Sequence, residues 1–270
     1  MAIASAEKCC IRYHIGEGMM RNRVLVTAGG SGIGLAIVDS FLASGASVHL
    51  CDVDADAVAR AVATRPVTAS VTDVSDSIQI ADLAAHALSA LGGIDTVVNN
   101  AGIGGARCPI EALSDEDWDR TLRTNLSSMF YVVRAFAPAM KAQRSGAIIN
   151  ISTTSVKTGL PERTPYVVAK AGVEALTSNL ARELGPFNIR CNSLRPGSIE
   201  NERGRALLAA RAEREGLTYD AALAQRLAFI SMRTKIDPSE IGDAAVFLAS
   251  HAARHISGQC LSVCGNAEWE

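Results

Sequence analysis

The chain has 270 residues, 48% of them apolar and 20% charged, proportions that exclude a wholly disordered, collagen-like or coiled-coil protein. Lys and Arg number 26 against 28 Asp and Glu, for a net charge of -2, which leaves no basic stripe to neutralise nucleic-acid phosphates. Every apolar stretch is broken by Gly, Asp or Arg well before the ~20 residues that span a bilayer, so neither nucleic acid nor membrane is an expected partner, and a soluble, cytoplasmic protein is expected.

Residues 1–20 (MAIASAEKCCIRYHIGEGMM) hold basic residues but no continuous apolar core for a secretory signal. They read as a loose extension, with Met19 or Met20 as an alternative start, ahead of one domain over residues 21–270. The seven cysteines (Cys9, Cys10, Cys51, Cys108, Cys191, Cys260, Cys264) are odd in number, thinly spread and without a CxxC pair of zinc spacing. Reduced thiols fit that pattern better than a disulfide framework. His14, His49 and His86 are isolated, and His251 and His255 have no carboxylate close by to complete a ligand set, so no metal is expected.

From Arg23 onward, short Val/Ile/Leu-rich runs alternate with longer segments of helical period, the pattern of an α/β protein with a parallel sheet and helical crossovers. A first strand, Val24–Thr27, runs through Ala28 and Gly29 into Gly30, Ser31, Gly32, Ile33 and Gly34, where a helix Gly32–Ala43 begins. Small residues there let the backbone approach a pyrophosphate, whose charge meets the free N–H groups of the helix start; the bland alternative is a glycine-rich connection without ligand. The second strand, Ser47–Cys51, ends at Asp52, about eighteen residues beyond Gly34. A carboxylate there suits the two hydroxyls of an adenosine ribose and repels a 2'-phosphate, although a solvated Asp at a strand end is as good a reading of the residue alone.

Further along, helices are predicted over Asp54–Ala63, Ser75–Leu91, Ser114–Ala142, Pro165–Leu184 and Pro238–Ala249, and strands over Pro66–Ser70, Thr96–Asn99, Ala147–Ile151, Ile189–Leu194 and Cys260–Val263. Gly197–Thr234 stands apart as a long, charged, partly helical insertion, read as a mobile substrate flap. Its Arg203, Arg205, Arg211, Arg214 and Arg226 fit either an anionic substrate or, more simply, a solvated helix. Tyr166 and Lys170, four apart at the start of a predicted helix, share one face. A phenol is a poor base at neutral pH, but a neighbouring ammonium stabilises the phenolate and brings proton transfer within range. The bland alternative is a helix-surface pair.

Taken in order, the turn Thr27–Gly34, Asp73 and Val74 after the third strand, Asn99, Asn100, Ala101 and Gly102 after the fourth, Asn125 on the long helix, Tyr166 with Lys170, and Pro196 with Gly197 after the sixth resemble the short-chain dehydrogenase/reductase family. The resemblance runs from about Arg23 to Val263, and the residues between Gly159 and Pro165 are similar to a 3-oxoacyl-reductase-like subgroup. It implies a Rossmann-type doubly wound sheet in the order 3-2-1-4-5-6-7 and hydride transfer between NAD and a small-molecule secondary alcohol or ketone. By the same resemblance Asp73 and Val74 hold the adenine, Asn99, Ala101 and Gly102 steady the sheet and cofactor, and Pro196, Gly197 and Ile199 meet the nicotinamide. Tyr166 takes the hydroxyl proton, Lys170 supports it and binds the nicotinamide ribose, and Asn125 holds a relay water.

Two positions depart from the family pattern. Ala28 stands where the first turn glycine is usual, and an Ala is strained there if the position needs a positive φ, unless Gly29 and Gly30 absorb the change. Thr153 stands where the family's serine is usual; its hydroxyl can still donate to the substrate oxygen, and Ser155 is the runner-up. An NADPH-dependent 3-oxoacyl thioester reductase and a catalytically weak NAD-binding regulatory protein are the alternative functions. The resemblance implies pairing of the two longest helices across a twofold axis, as is common in the family, and with the apolar last strand at a sheet edge it leads us to expect a homotetramer, with a dimer as the fallback.

Overall fold

The computed structural model describes residues 22–267, so the expectations placed on residues 1–20 lie outside the described residues. Seven strands, β1 (Arg23–Thr27), β2 (Ser47–Asp52), β3 (Thr68–Val71), β4 (Thr96–Asn99), β5 (Gly146–Ile151), β6 (Ile189–Pro196) and β7 (Cys260–Val263), form one sheet in the order β3-β2-β1-β4-β5-β6-β7. Each neighbouring pair is parallel. Parallel strands covered on both faces need near-continuous apolar sequence, and β1 is buried from Val24 to Thr27.

The helices are α1 (Gly32–Ala43), α2 (Ala55–Thr64), α3 (Ser77–Leu91), α4 (Asp115–Leu122), α5 (Ser128–Gln143), a short α6 (Ser155–Thr158), α7 (Thr164–Leu184), α8 (Glu202–Glu215), α9 (Tyr219–Ala228) and α10 (Pro238–Ala249). One face of the sheet packs on α1, α2 and α10 through Ile37, Phe41, Val58, Ile241 and Leu248. The other packs on α3, α5 and α7 through Leu83, Val132, Phe136, Leu180 and Leu184. The sheet order is therefore the doubly wound one, with both helical layers continuous with the core.

Three local expectations need correction. Pro66 and Val67 stay outside β3, because proline has no N–H to give to a ladder. Asp54, expected inside a helix, caps α2 by accepting the N–H groups of Asp56 and Ala57, and Asp76 caps α3 in the same way through Ile78. The single helix expected over Ser114–Ala142 is two, α4 and α5, joined by a π turn over Arg123–Ser127 that inserts an extra residue into the helical ladder.

The insertion after β6 folds as α8 and α9 around a small cluster of its own, Leu208, Ala212 and Ala222. Its two roots are laced together: Ile236 N–H donates to the Ser198 carbonyl at 2.8 Å and Glu200 N–H to the Ile236 carbonyl at 2.8 Å. No helix among the described residues is long and apolar enough to cross a membrane. The described cysteines, Cys51, Cys108, Cys191, Cys260 and Cys264, are free thiols, and among the described residues no cluster of His, Cys, Asp and Glu is placed to hold a metal.

Candidate active site

At the carboxyl end of β1 the chain turns sharply, and Ala28 takes a positive φ of 49°. Gly29 and Gly30 do not absorb this strain; the alanine itself sits in the left-handed region. Two later glycines are required for different reasons. A Cβ on Gly34 would collide with the Ala28 carbonyl and the Asn100 amide, so only glycine lets α1 lie this close to the turn, whereas Gly32 has a φ of +53° and faces open space. Ser31 precedes α1 without spending its side chain on a cap, and the first turn of the helix carries no acidic residue. Ile33 tucks against the core. Free N–H groups facing open space suit an anionic group.

Asp52 looks into the same turn. It is buried, with Oδ2 accepting the Gly30 N–H at 3.0 Å and Oδ1 accepting the Asp54 N–H at 3.2 Å. No basic residue lies between Ala28 and Gly34. The Thr72 N–H donates to the Asp52 carbonyl at 2.8 Å and so draws the next segment alongside. There Asp73 is half-buried, accepting the Ser75 N–H at 2.9 Å, while Val74 is buried in the core.

The turns after β1 and β4 are stitched to one another. Thr27 Oγ1 accepts the N–H groups of Asn100 and Ala101 at 3.0 and 3.1 Å, and Asn100 Nδ2 donates to the carbonyls of Thr27 and Ala28 at 3.1 Å each. Asn99 does not join them at the surface: its side chain is buried in the sheet and donates to Asn150 Oδ1 at 2.9 Å. Asn150 in turn donates to Thr177 Oγ1 on α7 at 2.9 Å. The role expected jointly of Asn99 to Gly102 is thus divided between residues that brace the sheet and residues that brace the turn.

On the other side of β4, Lys170 is buried on α7 and its Nζ donates to the Ile151 carbonyl at 2.7 Å. A Cβ on Gly102 would lie 3.2 Å from Asn125 Oδ1 and 3.4 Å from Lys170 Nζ, so a side chain at Gly102 would crowd both groups. Both polar atoms of the Asn125 side chain are taken: Oδ1 accepts the Ile103 N–H at 2.7 Å and Nδ2 donates to the Ile103 carbonyl at 2.9 Å. The π turn presents Asn125 to that loop. Tyr166, half-buried, lies one helical turn before Lys170.

Thr153 follows β5 and is fixed by its neighbours, since Ser152 N–H donates to the Leu194 carbonyl at 2.7 Å and Thr154 N–H to the Pro196 carbonyl at 3.3 Å. Thr153 Oγ1 lies 3.3 Å from Ser155 Oγ and accepts the Ser155 N–H at 3.3 Å, so both candidates for the serine role stand together. Beyond β6, Gly197 N–H donates to the Val263 carbonyl at 2.9 Å, and Ile199 bridges to Ile236. In the insertion, Arg205 pairs with Glu200 at 2.7 Å, Arg211 with Glu215 at 2.9 Å and Arg214 with Glu215 at 3.4 Å. These three satisfy local carboxylates, as the solvated-helix reading expects.

One group went unread in the sequence. Glu174, one turn beyond Lys170, accepts Arg195 through both carboxylate oxygens at 2.6 Å, and Ser152 Oγ donates to it at 2.7 Å. Burial alone would raise the Glu174 carboxyl, but the hydrogen bonds from Arg195 and Ser152 outweigh it and hold the group below the ordinary glutamate range. The available signal was the run Tyr166, Lys170, Glu174 at successive steps of four on one helix face.

Residues 27–265 match the family model described as enoyl-(acyl carrier protein) reductase. A 3-oxoacyl-[acyl-carrier-protein] reductase of Chlamydia trachomatis serovar D is 34% identical over 256 residues, covering 92% of this chain and 98% of that protein. The chain belongs to the short-chain dehydrogenase/reductase family. The probable galactose dehydrogenase of Rhizobium meliloti is 40% identical to this family member over 195 residues, covering 70% of this chain and 76% of that protein. Among solved structures, NAD+-bound xylitol dehydrogenase superposes with a TM-score of 0.85 at 27% identity, covering 91% of this chain and 98% of the other. Actinorhodin polyketide ketoreductase with NADPH gives 0.87 at 27% identity, covering 93% and 98%. This short-chain dehydrogenase/reductase is an oxidoreductase that acts on alcohol or ketone groups with a nicotinamide cofactor.

Proposed function

We propose that this short-chain dehydrogenase/reductase transfers hydride between NAD, rather than NADP, and a secondary alcohol or ketone. The observation that carries the cofactor choice is Asp52, whose buried carboxylate is held toward the glycine turn by the Gly30 N–H at 3.0 Å, with no basic residue in that turn. A 2'-phosphate placed there would meet like charge, and the ribose hydroxyls of NAD would meet an acceptor. Gly30, Ser31, Gly32, Ile33 and Gly34 would hold the pyrophosphate, Asp73 and Val74 the adenine, Ala101 and Gly102 the cofactor's middle, and Pro196, Gly197 and Ile199 the nicotinamide.

The bound nicotinamide supplies the hydride chemistry. In the oxidative direction Tyr166 takes the proton of the substrate hydroxyl, and Lys170 keeps a positive charge beside the phenol and meets the nicotinamide ribose. Thr153 orients the substrate oxygen: its Oγ1 accepts the Ser155 N–H, and the proton it gives to Ser155 Oγ at 3.3 Å would turn to the substrate oxygen once that is bound. Asn125 holds the relay water through its main chain, because its side chain is already bonded at both atoms to Ile103.

The domain spans residues 21–270, with 197–234 closing over the substrate, in a cytoplasmic homotetramer or dimer. A groove of about 330 Å³ between α5 and α7, lined by Phe130, Arg134, Pro138 and Leu176, and the sheet-edge strand β7, with Leu261 exposed, support two contacts between copies. A second reading, NADPH-dependent reduction of a 3-oxoacyl thioester, is supported by the likeness to the Chlamydia protein and opposed by Asp52. Titrating both cofactors and then testing sugar alcohols, hydroxy acids, steroids and acyl thioesters separates the two. NAD should bind at least tenfold tighter, ~1.4 kcal/mol, and Asp52→Ala should relax that ratio; equal affinity or a preference for NADP overturns the assignment.

A further inference from the structure

We propose that Glu174 and Arg195 act as positioning residues for the catalytic pair: their ion pair, keyed to Ser152, sets Lys170 against the end of β5 and keeps the charge around Tyr166 and Lys170 balanced. This rests on the assignment of Tyr166 and Lys170 as the proton-handling groups.

Each member of the network adjoins a working residue. Ser152 precedes Thr153, Arg195 precedes Pro196, and Glu174 lies one helical turn from Lys170 on the same face, ~5 to 6 Å between Cβ atoms. The fork is complete, with Arg195 Nε on Oε1 and Nη2 on Oε2 at 2.6 Å each, and the side chains are only 11% and 13% exposed. Ser152 Oγ is 2.7 Å from Glu174 Oε1 and 3.4 Å from the Lys170 carbonyl, so one hydroxyl touches both the carboxylate and the backbone of the catalytic turn. Stability does not explain such a pair, since apolar side chains of like size fill an interior as well or better. Placement does: a bidentate fork between α7 and β6 fixes the height of the helix along the sheet, which no apolar contact specifies as sharply.

The balance of charge follows from the same geometry. Glu174 is bonded to Arg195 from β6 and Ser152 just after β5, feels the charge of Lys157 from the short helix α6, and follows Lys170 by four residues on its own helix. The pair as a whole is neutral, so loss of either partner leaves a full charge about one turn from the Lys170 ammonium. An unpaired Arg195 would favour the phenolate of Tyr166, and an unpaired Glu174 would oppose it.

The test is the pH dependence of kcat in the full-length enzyme, at saturating NAD with an alcohol that it oxidises. Glu174→Gln should move the midpoint of the acid limb down by about half a pH unit or more, and Arg195→Met should move it up by a similar amount. The double variant Glu174→Gln/Arg195→Met should return it to near the parent position. A pair with a merely structural role would lower activity without opposite displacements; midpoints that stay still, or move in the same direction, overturn the proposal. Where a single variant fails to fold by circular dichroism, Arg195→Lys, which keeps the charge but loses the fork, should leave the midpoint in place and raise the KM for NAD about threefold, and an unchanged KM overturns it. Tyr166→Phe separates the two levels. If that variant keeps full turnover, the assignment of Tyr166 has failed; if it loses ~10² to 10⁴ in kcat while the pair variants leave the midpoint unmoved, the proposal for Glu174 and Arg195 alone has failed.

Discussion

Around β1 and β2 the site is shaped by backbone lying against backbone, whereas around β5, β6 and α7 it is shaped by buried polar side chains bonded to one another. In the nucleotide half, Gly34 lets α1 touch the Ala28 carbonyl, Asn100 bonds to main-chain carbonyls, and Asp52 is held by two N–H groups. In the catalytic half, Asn99, Asn150 and Thr177 form one polar layer between sheet and α7, and Ser152, Glu174 and Arg195 form the next. On the proposed assignments, the difference follows from what each half would hold. A pyrophosphate needs N–H groups and space, which a tight turn supplies, but a reactive phenol and a buried ammonium need side chains kept at one height, which hydrogen bonds across the helix–sheet seam supply.

The sharpest way to break the comparison is to remove one side chain from each half. Asn150→Ala leaves the Asn99 amide without its acceptor and takes a donor from Thr177, deep in the interior. We expect a loss of about 3 kcal/mol in urea unfolding, with kcat falling as α7 loosens. Gly34→Ala drives a methyl into the Ala28 carbonyl; overpacking of this kind costs about 2 kcal/mol, and cofactor affinity should fall at least tenfold because the turn must open. If Asn150→Ala weakened the cofactor and spared kcat, the division of labour between the halves would be wrong.

The same contrast explains what was legible from residues alone. The central strands, buried on both faces, read as apolar runs, the sheet order followed only from the family resemblance, and the turn was visible because close backbone approach demands glycine in one short segment. Ser152, Glu174 and Arg195 come from three separate segments, and their meeting depends on the register that sets Ile151 beside Leu194. Register of parallel strands leaves no local mark in the sequence. The π turn was hidden for a related reason, since the one extra residue leaves the apolar pattern of Ser114–Ala142 almost unchanged while it re-aims Asn125 at Ile103.

His49 is the polar exception in the nucleotide half, and it makes that half acid-sensitive. It is buried on β2 between Thr68 Oγ1 at 2.8 Å and Ser70 Oγ at 3.0 Å. Burial, with the charge of His86 adding to it, pushes its pKa down to about 4. The unfolded chain accepts that proton near pH ~6.5, so the folded state keeps this stability above pH ~6.5 and loses it as the pH falls toward 4. At pH ~4.5 the loss should be about 2 kcal/mol. Thermal melts at neutral and acid pH should show it, and His49→Gln should flatten the difference; an equally steep acid loss in that variant would place the sensitivity elsewhere.

The smallest effect expected lies at Ala28, where the turn is built from a residue that its own φ of +49° disfavours. A left-handed conformation costs an L-residue about 1 to 2 kcal/mol, and glycine removes that cost. Against it stand the greater freedom of glycine in the unfolded chain, about 0.5 to 1 kcal/mol, and the contact of the alanine methyl with the core beneath α3. Relief of strain should prevail by only about 0.5 kcal/mol, because the methyl is only partly buried. In a domain of this size that is a rise of about 1 to 2 °C in Tm. Cofactor affinity should hold, since the carbonyl that Asn100 and Gly34 contact belongs to the backbone and remains in Ala28→Gly. A lower Tm with weaker NAD binding would show instead that the methyl, and not the backbone path, shapes this turn.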